Sequence, residues 1–467
     1  MIKINIKKFP GSLLKNRGEY NLLITYTEVY DNIIRNISEI KNIKIINKKQ
    51  YYNEIENNIK NILKLKIYQN LSNYTTINTL NYLFNHMRNA IYIKIRNNKV
   101  VQYQPFANYF YKNNWSDNIK FENSNNINEY IKYKSTYFKI YKKYITNIEQ
   151  WWCNNIIINN EHRSDIWGVH SLKIYKEILD ETCLNYKIND VDFFINKRDH
   201  PMLKTDLTEP YEQLYKKNTK LHDIYQNKSY TPILSPYVDK KYADIPYIIP
   251  DDWNLIKDDY EYKIKIDIPW EEKIDTAIFR GSATGYTTLK NNQRIQIAKL
   301  SQEMSKSKYN NLLNAGIVSY NSRDKIDDNL TLTFIKPNIV DLVEKIPMHE
   351  QIKYKYIISI AGHSGGINRI SWILQSGCLW LKVEPLDIIN ATESWYSPLL
   401  KPNIHYISIK SDLSDLQEKI LWCRSHDNEC KKIMENAKLI YNQYFTKDNL
   451  LKYSAFILNS INNNFIN

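Results

Sequence analysis

Cysteine is scarce in this chain, and its placement excludes a disulfide scaffold. The 467 residues hold five, Cys153, Cys183, Cys378, Cys423 and Cys430, with no CxxC pair and an odd total. A reducing compartment is the simpler reading. Long apolar runs are missing too. No stretch approaches the roughly 18 uncharged apolar residues of a membrane-spanning helix. The opening "MIKINIKKFPGSLLKNRGEY" has no apolar core of signal-peptide length, so a cytoplasmic location is expected. There is no GxGxxG fingerprint, which counts against a dinucleotide-dependent dehydrogenase or epimerase, and no GxxxxGK[ST] phosphate loop. HExxH, cysteine clusters and a strand-ending DxD are likewise absent, so no metal is expected.

What is present is a folding composition, 43% hydrophobic and 13% aromatic. Heavy use of Asn, Ile and Lys reflects AT-rich coding and carries no chemistry. The net charge of +14 is local: residues 1–150 carry 24 Lys/Arg against 10 Asp/Glu, and residues 151–467 carry 40 against 40. The first third is therefore the candidate for contact with a polyanion, nucleic acid included. It has neither zinc-finger spacing nor a clear recognition motif.

Hydrophobic periodicity divides the chain into three parts. Residues 1–125 read as a small basic α/β module, with strands in "YNLLITYTEV" and "NAIYIKIR" and a helix carrying Ile55, Ile59, Ile62 and Leu63. The Asn-rich stretch 113–130 reads as a linker, and an aromatic helix with Tyr137, Tyr141 and Tyr144 on one side follows it. Residues 126–270 and 271–467 then form two further units. Their strands alternate with helices, the pattern of an open parallel α/β sheet. "SDLQEKILWCRSH" opens with a capping box at Ser414 and Gln417.

In such a sheet the ligand groups sit just beyond the carboxyl ends of strands. Four places qualify. "TAIFRGSATG" (276–285) ends an apolar run in Arg280, Gly281 and Ser282, the edge of an anion-binding turn. "IAGHSGGINR" (360–369) sets Gly362, His363 and Ser364 between a strand and a helix, with Arg369 inside the helix's first turns. Glycine permits close backbone approach, and a guanidinium fork suits phosphate. "NKRDHP" places Asp199 among cations that hold it ionised, as a general base must be. "LKVEPLDIINATESWY" supplies Glu384 and Glu393, carboxylates able to accept sugar or ribose hydroxyls, with Trp395 and Tyr396 as core or pocket wall. His405 reads as structural, and Asp412 and Asp415 as helix-start residues.

The ordered set "DFFINKRDHP", "DDWNL", "AIFRGSATG", "YKYIISIAGHSGGINRISWILQSGCLWLK" and "WYSPLLKPNIHYISIKSDLSDLQEKILW" resembles the CAP10-type glycosyltransferases, among them Rumi-type protein O-glucosyltransferases and fungal capsule xylosyltransferases. The resemblance covers roughly residues 185–450. It implies a GT-B-like α/β fold, two Rossmann-like lobes across a cleft, with 126–270 as the acceptor lobe and 271–467 as the donor lobe. It implies inverting transfer of glucose or xylose from a UDP-sugar to a hydroxyl of a protein or glycan. The family's "N-x-R-D" aspartate falls on Asp199 as base. Its "FRGS" arginine falls on Arg280, and its post-loop arginine on Arg369, both at the diphosphate. Ser282 and Gly362 to Ser364 fall beside the nucleotide. No cofactor beyond the donor is implied. An inactive, glycan-binding member of the same fold is the rival reading. The missing secretory signals and the AT-rich composition suit a virus or a parasite that glycosylates in the cytoplasm.

Overall fold

Ile55, Ile59 and Leu63 recur at helical spacing, and helix α1 (Lys48–Leu63) turns them, with Tyr51, into the interior. The computed structural model describes residues 48–87, 89–107, 120–121, 169–196, 199–210, 218–257, 260, 263–264, 267–285, 292–320, 325–326, 331–333, 339–362, 369–386 and 393–462. The strand expected in "YNLLITYTEV", the aromatic helix after residue 130, Cys153, His363 and Ser364 lie outside them. So does the linker, apart from a two-residue strand within it.

The first half follows α1 with α2 (Asn73–Asn81), a single π-helical turn (Tyr82–Met87), the hairpin β1 (Asn89–Arg96) and β2 (Lys99–Ala107), and the two-residue β3 (Lys120–Phe121). It continues with α3 (Val169–Asn185), β4 (Val191–Ile195), β5 (Ile233–Ser235), β6 (Ile245–Pro246) and the short α4 (Pro250–Leu255). One sheet runs β2-β1-β4-β5-β6. β1 is antiparallel to both neighbours, with Ile91 beside Ile195, whereas β4, β5 and β6 are parallel. The "NAIYIKIR" strand is as expected, but it pairs with β4, so the sheet crosses the module boundary drawn at residue 125. The cause is burial: Ile91, Ile93 and Ile95 are fully covered, and a free-standing hairpin could not cover them.

The second half holds β7 (Ile274–Ala283), α5 (Gln293–Ser305), β8 (Leu313–Tyr320), the two short strands β9 (Lys325–Ile326) and β10 (Thr331–Thr333), α6 (Met348–Gln351), β11 (Tyr354–Ser359), α7 (Ile370–Gln375), β12 (Leu379–Val383) and β13 (Ile407–Ile409). Three helices close the chain: α8 (Leu416–Ser425), α9 (Asp427–Tyr444) and α10 (Lys447–Asn462). The sheet β13-β12-β11-β7-β8 is wholly parallel, as the alternating pattern implied. β3, β10 and β9 form a small separate sheet.

The two halves share one apolar core that includes Phe194 and Ile233 from the first and Ile357, Trp372 and Trp380 from the second. α10 returns to the first half, where Ser454 Oγ meets Thr182 (2.9 Å) and the Tyr247 hydroxyl (2.7 Å). Four cysteines, Cys183, Cys378, Cys423 and Cys430, are buried and free.

Three local expectations change. β7 does not stop at Arg280 but continues to Ala283, because a bulge between Gly281 and Ser282 keeps its pairing with β8. Helix α7 is only six residues long, so Arg369 is its N-cap and not inside it. The Ser414–Gln417 capping box does not form. Asp415 occupies the N-cap of α8, its carboxylate accepting from Lys410 N–H at 2.9 Å and pairing with Lys419 at 2.7 Å.

Candidate functional site

The second sheet reverses its direction of growth between β7 and β11. From β7 the chain moves outward through α5 to β8; from β11 it moves the other way, through α7 to β12. Segments leaving two such strands diverge, and the crevice between them is where open α/β sheets take ligands.

α5 begins at this crevice. Asn292 caps it, its Oδ1 accepting from the N–H groups of Arg294 (3.1 Å) and Ile295 (3.2 Å), while its Nδ2 donates to the Thr284 carbonyl at 3.0 Å. The cap fixes Arg294 in the first turn. Its guanidinium then spans the ends of both strands: Nη1 donates to Ser282 O (3.1 Å), Nη2 to Ile360 O (2.9 Å) and Nε to Ala361 O (3.2 Å). Gly362 lies against it, since a Cβ there would meet Arg294 Nη2 at 3.2 Å and Thr284 Oγ1 at 3.3 Å. Gly285, at φ +120°, takes a conformation that side-chain-bearing residues rarely adopt.

Arg369 stands at the same place. No hydrogen bond or ion pair joins its guanidinium to another described residue. Burial pulls its pKa down to about 10. Burial, and then the neighbouring Arg369 charge, pull Arg294 down to about 9. No described carboxylate offsets either cation. Two half-buried like charges without a counter-charge are costly, and an anion between them relieves both penalties.

Arg280 is oriented differently. It is buried, and it makes four hydrogen bonds: Nε to Glu344 O (3.1 Å), Nη1 to Phe279 O (3.0 Å) and Asn314 O (2.8 Å), and Nη2 to Asn314 Oδ1 (2.8 Å). The expected diphosphate arginine is thus turned toward β8, tying β7 to its neighbour. Ser282 is also drawn to β8, its hydroxyl 2.7 Å from that of Ser319, although its carbonyl holds Arg294.

Glu384 follows β12. It accepts from the Ser408 hydroxyl at 2.5 Å and lies 3.5 Å from Lys382 Nζ. Glu393 is half-buried, and burial raises its pKa while Lys240 and Lys382 oppose the rise. The two glutamates therefore share the field of Lys382. Glu393 also joins the halves: its backbone exchanges hydrogen bonds with Val238, at 2.8 and 3.1 Å. Val238 follows Tyr237, a buried phenol whose pKa is raised by burial and, among smaller causes, by the charge of Asp199. Asp199 itself is exposed, in the turn after β4. The base candidate is thus near enough to Tyr237 for its charge to be felt, and the next residue, Val238, pairs with Glu393.

His405 is structural, as expected. Its Nδ1 accepts from Lys401 N–H at 3.0 Å, and burial pushes its pKa down to about 4, so the ring is neutral. Trp395 and Tyr396 are core residues. Among the described residues, no group of three or more His, Cys, Asp or Glu is placed to hold a metal ion, and no helix is long and apolar enough to cross a membrane.

The parallel sheet thus carries at its switch point two arginines, Arg294 and Arg369, that no carboxylate among the described residues neutralises. The chain belongs to glycosyl transferase family 90, whose model matches residues 165–463. Protein 179R of Invertebrate iridescent virus 6 is 34% identical over 439 residues, 82% of this chain and 37% of that protein. Protein O-glucosyltransferase 2 of Danio rerio is 28% identical over 187 residues, 40% of this chain and 31% of that protein. The chain thus spans well under half the length of either relative. HepE of Anabaena, solved with UDP, aligns at 14% identity over 45% of this chain and 52% of its own, with a TM-score of 0.23, too low for any inference to rest on it.

Sequence reasoning missed Arg294. The only local signal was Asn292 as an N-cap, which puts Arg294 in the first turn of α5.

Proposed function

We propose that this protein is an inverting glycosyltransferase that moves glucose or xylose from a UDP-sugar to a hydroxyl of a protein or glycan. The observation that carries the reading is the Arg294–Arg369 pair beside Gly362, half-buried and without a carboxylate partner among the described residues. A diphosphate supplies the missing charge. Family membership supports sugar transfer, and a viral relative supports a virus-encoded enzyme.

Asp199 takes the proton of the acceptor hydroxyl as its oxygen attacks the anomeric carbon. The bond from that carbon to the diphosphate breaks, through an oxocarbenium-like transition state. Charge grows on the leaving UDP and meets Arg369 and Arg294, already oriented for it. Arg280 supports them indirectly by fixing β7. Glu384 and Glu393 accept hydroxyls of the ribose or the transferred sugar.

Asp199→Asn is expected to lower transfer by about a hundredfold or more while leaving UDP affinity near wild type. Full transfer activity in D199N would remove the base assignment. Donor identity is read by thermal unfolding with UDP-glucose, UDP-xylose, UDP-galactose and GDP-mannose, since only a bound donor raises Tm. No rise with any UDP-sugar would count against the donor class.

A further inference from the structure

The turn that carries Asp199 is held from both flanks by one buried carboxylate. On the near flank stands Asn196, fully buried at the end of β4. Its Nδ2 donates to the His200 carbonyl at 2.5 Å, closing the loop around Asp199, and to Ser235 Oγ at 3.1 Å. Because that hydroxyl accepts from Asn196, its own proton points onward. It donates to Asp244 Oδ1 at 2.5 Å. On the far flank the backbone N–H groups of Met202 and Leu203 donate to Asp244 Oδ1 and Oδ2, both at 2.8 Å. The segments before and after Asp199 thus converge on a side chain just ahead of β6, the strand two places away from β4 in the sheet.

We propose that Asp244, acting through Ser235 and Asn196, is the positioning residue for Asp199 in the transfer reaction. The proposal rests on the reading of Asp199 as the base. A base must lie within hydrogen-bond reach of the proton it takes, and an exposed turn without this clamp would sample many positions.

The clamp needs an ionised carboxylate. Both oxygens accept backbone N–H groups, and a proton on either displaces one of those bonds. Burial pushes the Asp244 carboxyl up to about 6, against the opposing pull of Ser235 and of the Met202, Leu203 and Asp244 N–H groups. Tyr68, whose hydroxyl donates to the Ala243 carbonyl at 2.6 Å, is the titratable neighbour that feels this charge, and it stays protonated throughout. As pH falls through about 6 the clamp loses a bond and Asp199 loses its fixed place. The rate of transfer then acquires an acid limb belonging to Asp244.

Two variants test this in the full chain, with UDP affinity, kcat and the pH profile as readouts. Asp244→Asn sets an amide NH2 against a backbone N–H; kcat is expected to fall roughly ten- to hundredfold, with UDP affinity unchanged and the acid limb near pH 6 gone. Ser235→Ala is the milder change. It removes a donor that holds the Asp244 pKa down, so the limb moves to higher pH while kcat falls less. A merely structural role would lower Tm without moving the limb. If D199N abolishes transfer but S235A leaves both kcat and the limb where they are, the positioning role is overturned and the base assignment stands. If D199N retains full transfer, it is the base assignment that fails.

Discussion

Arg280 and Arg369 are both largely enclosed arginines at one edge of the same parallel sheet, yet the fold uses them in opposite ways. Arg280 has four hydrogen bonds to β8, to the Glu344 carbonyl and to its own strand. Arg369 has none with the described residues. Arg294, with three bonds to carbonyls, stands between them. A guanidinium has five N–H donors, so the number left open by the described residues rises from Arg280 through Arg294 to Arg369. The same side chain thus staples strands at Arg280, whereas at Arg369, which we propose meets the diphosphate of the donor, the described residues offer it no partner.

The largest effect that sharpens this comparison is on stability. Arg280→Ala leaves the Asn314 and Glu344 carbonyls without their donor in a buried place, at a cost of about 3 kcal/mol or more. The expected outcome is a clear fall in Tm with donor Kd near wild type for the folded fraction. Donor affinity lost without any loss of Tm would break the distinction and restore Arg280 to the diphosphate.

Arg369→Ala is the converse. Hydrogen bonds to a charged partner contribute about 1.5–3 kcal/mol, so donor Kd should rise roughly ten- to hundredfold while Tm holds or rises. Arg369→Lys keeps the charge but not the fork and should recover only part of the affinity. Calorimetric titration with UDP checks both, and an unchanged Kd in R369A would remove Arg369 from the site.

The sequence was informative about these two arginines to different degrees, for physical reasons. Apolar runs such as "YKYIISIAG" and "CLWLKVEP" marked β11 and β12, because a strand buried on both faces has little choice of residues. Arg369 was conspicuous as a lone cation on an apolar helix, although it proves to be that helix's N-cap. Arg280 was placed at the end of its strand, which instead runs on to Ala283, and was misjudged in direction. A Gly-Ser after an arginine reads as a turn, and only pairing with β8 shows that a bulge carries the strand on. Arg294 was invisible because a cation opening a helix ordinarily faces water. Asp244 and Asn196 were missed because their bonds join residues up to 42 positions apart, which no local pattern records. The shared sheet of β1 and β4 was hidden likewise: charge counting set the first third apart, whereas burial of its isoleucines joined it to the rest.

The smallest effect concerns a carboxyl that, unlike Asp244, gains little support from backbone N–H groups. Asp252, on α4, sits at the junction of the two halves, its Oδ2 accepting from Trp395 Nε1 at 2.8 Å. Burial pushes it up to about 7; the Ser371 hydroxyl and Trp395 oppose the rise, and the charge of Asp251 adds to it. An unfolded aspartate titrates near about 4, so the folded chain binds the extra proton between the two values. Stability from this group is therefore full below about 4 and is lost as pH rises through the folded value of about 7. Asp252→Asn keeps an acceptor for Trp395 and cannot ionise. Relative to wild type it should gain about 2 kcal/mol of stability on going from pH 5 to pH 8, read as a crossing of the two Tm curves. Parallel curves would mean that Asp252 is ionised throughout, and that the junction tolerates a buried charge as the arginine crevice does.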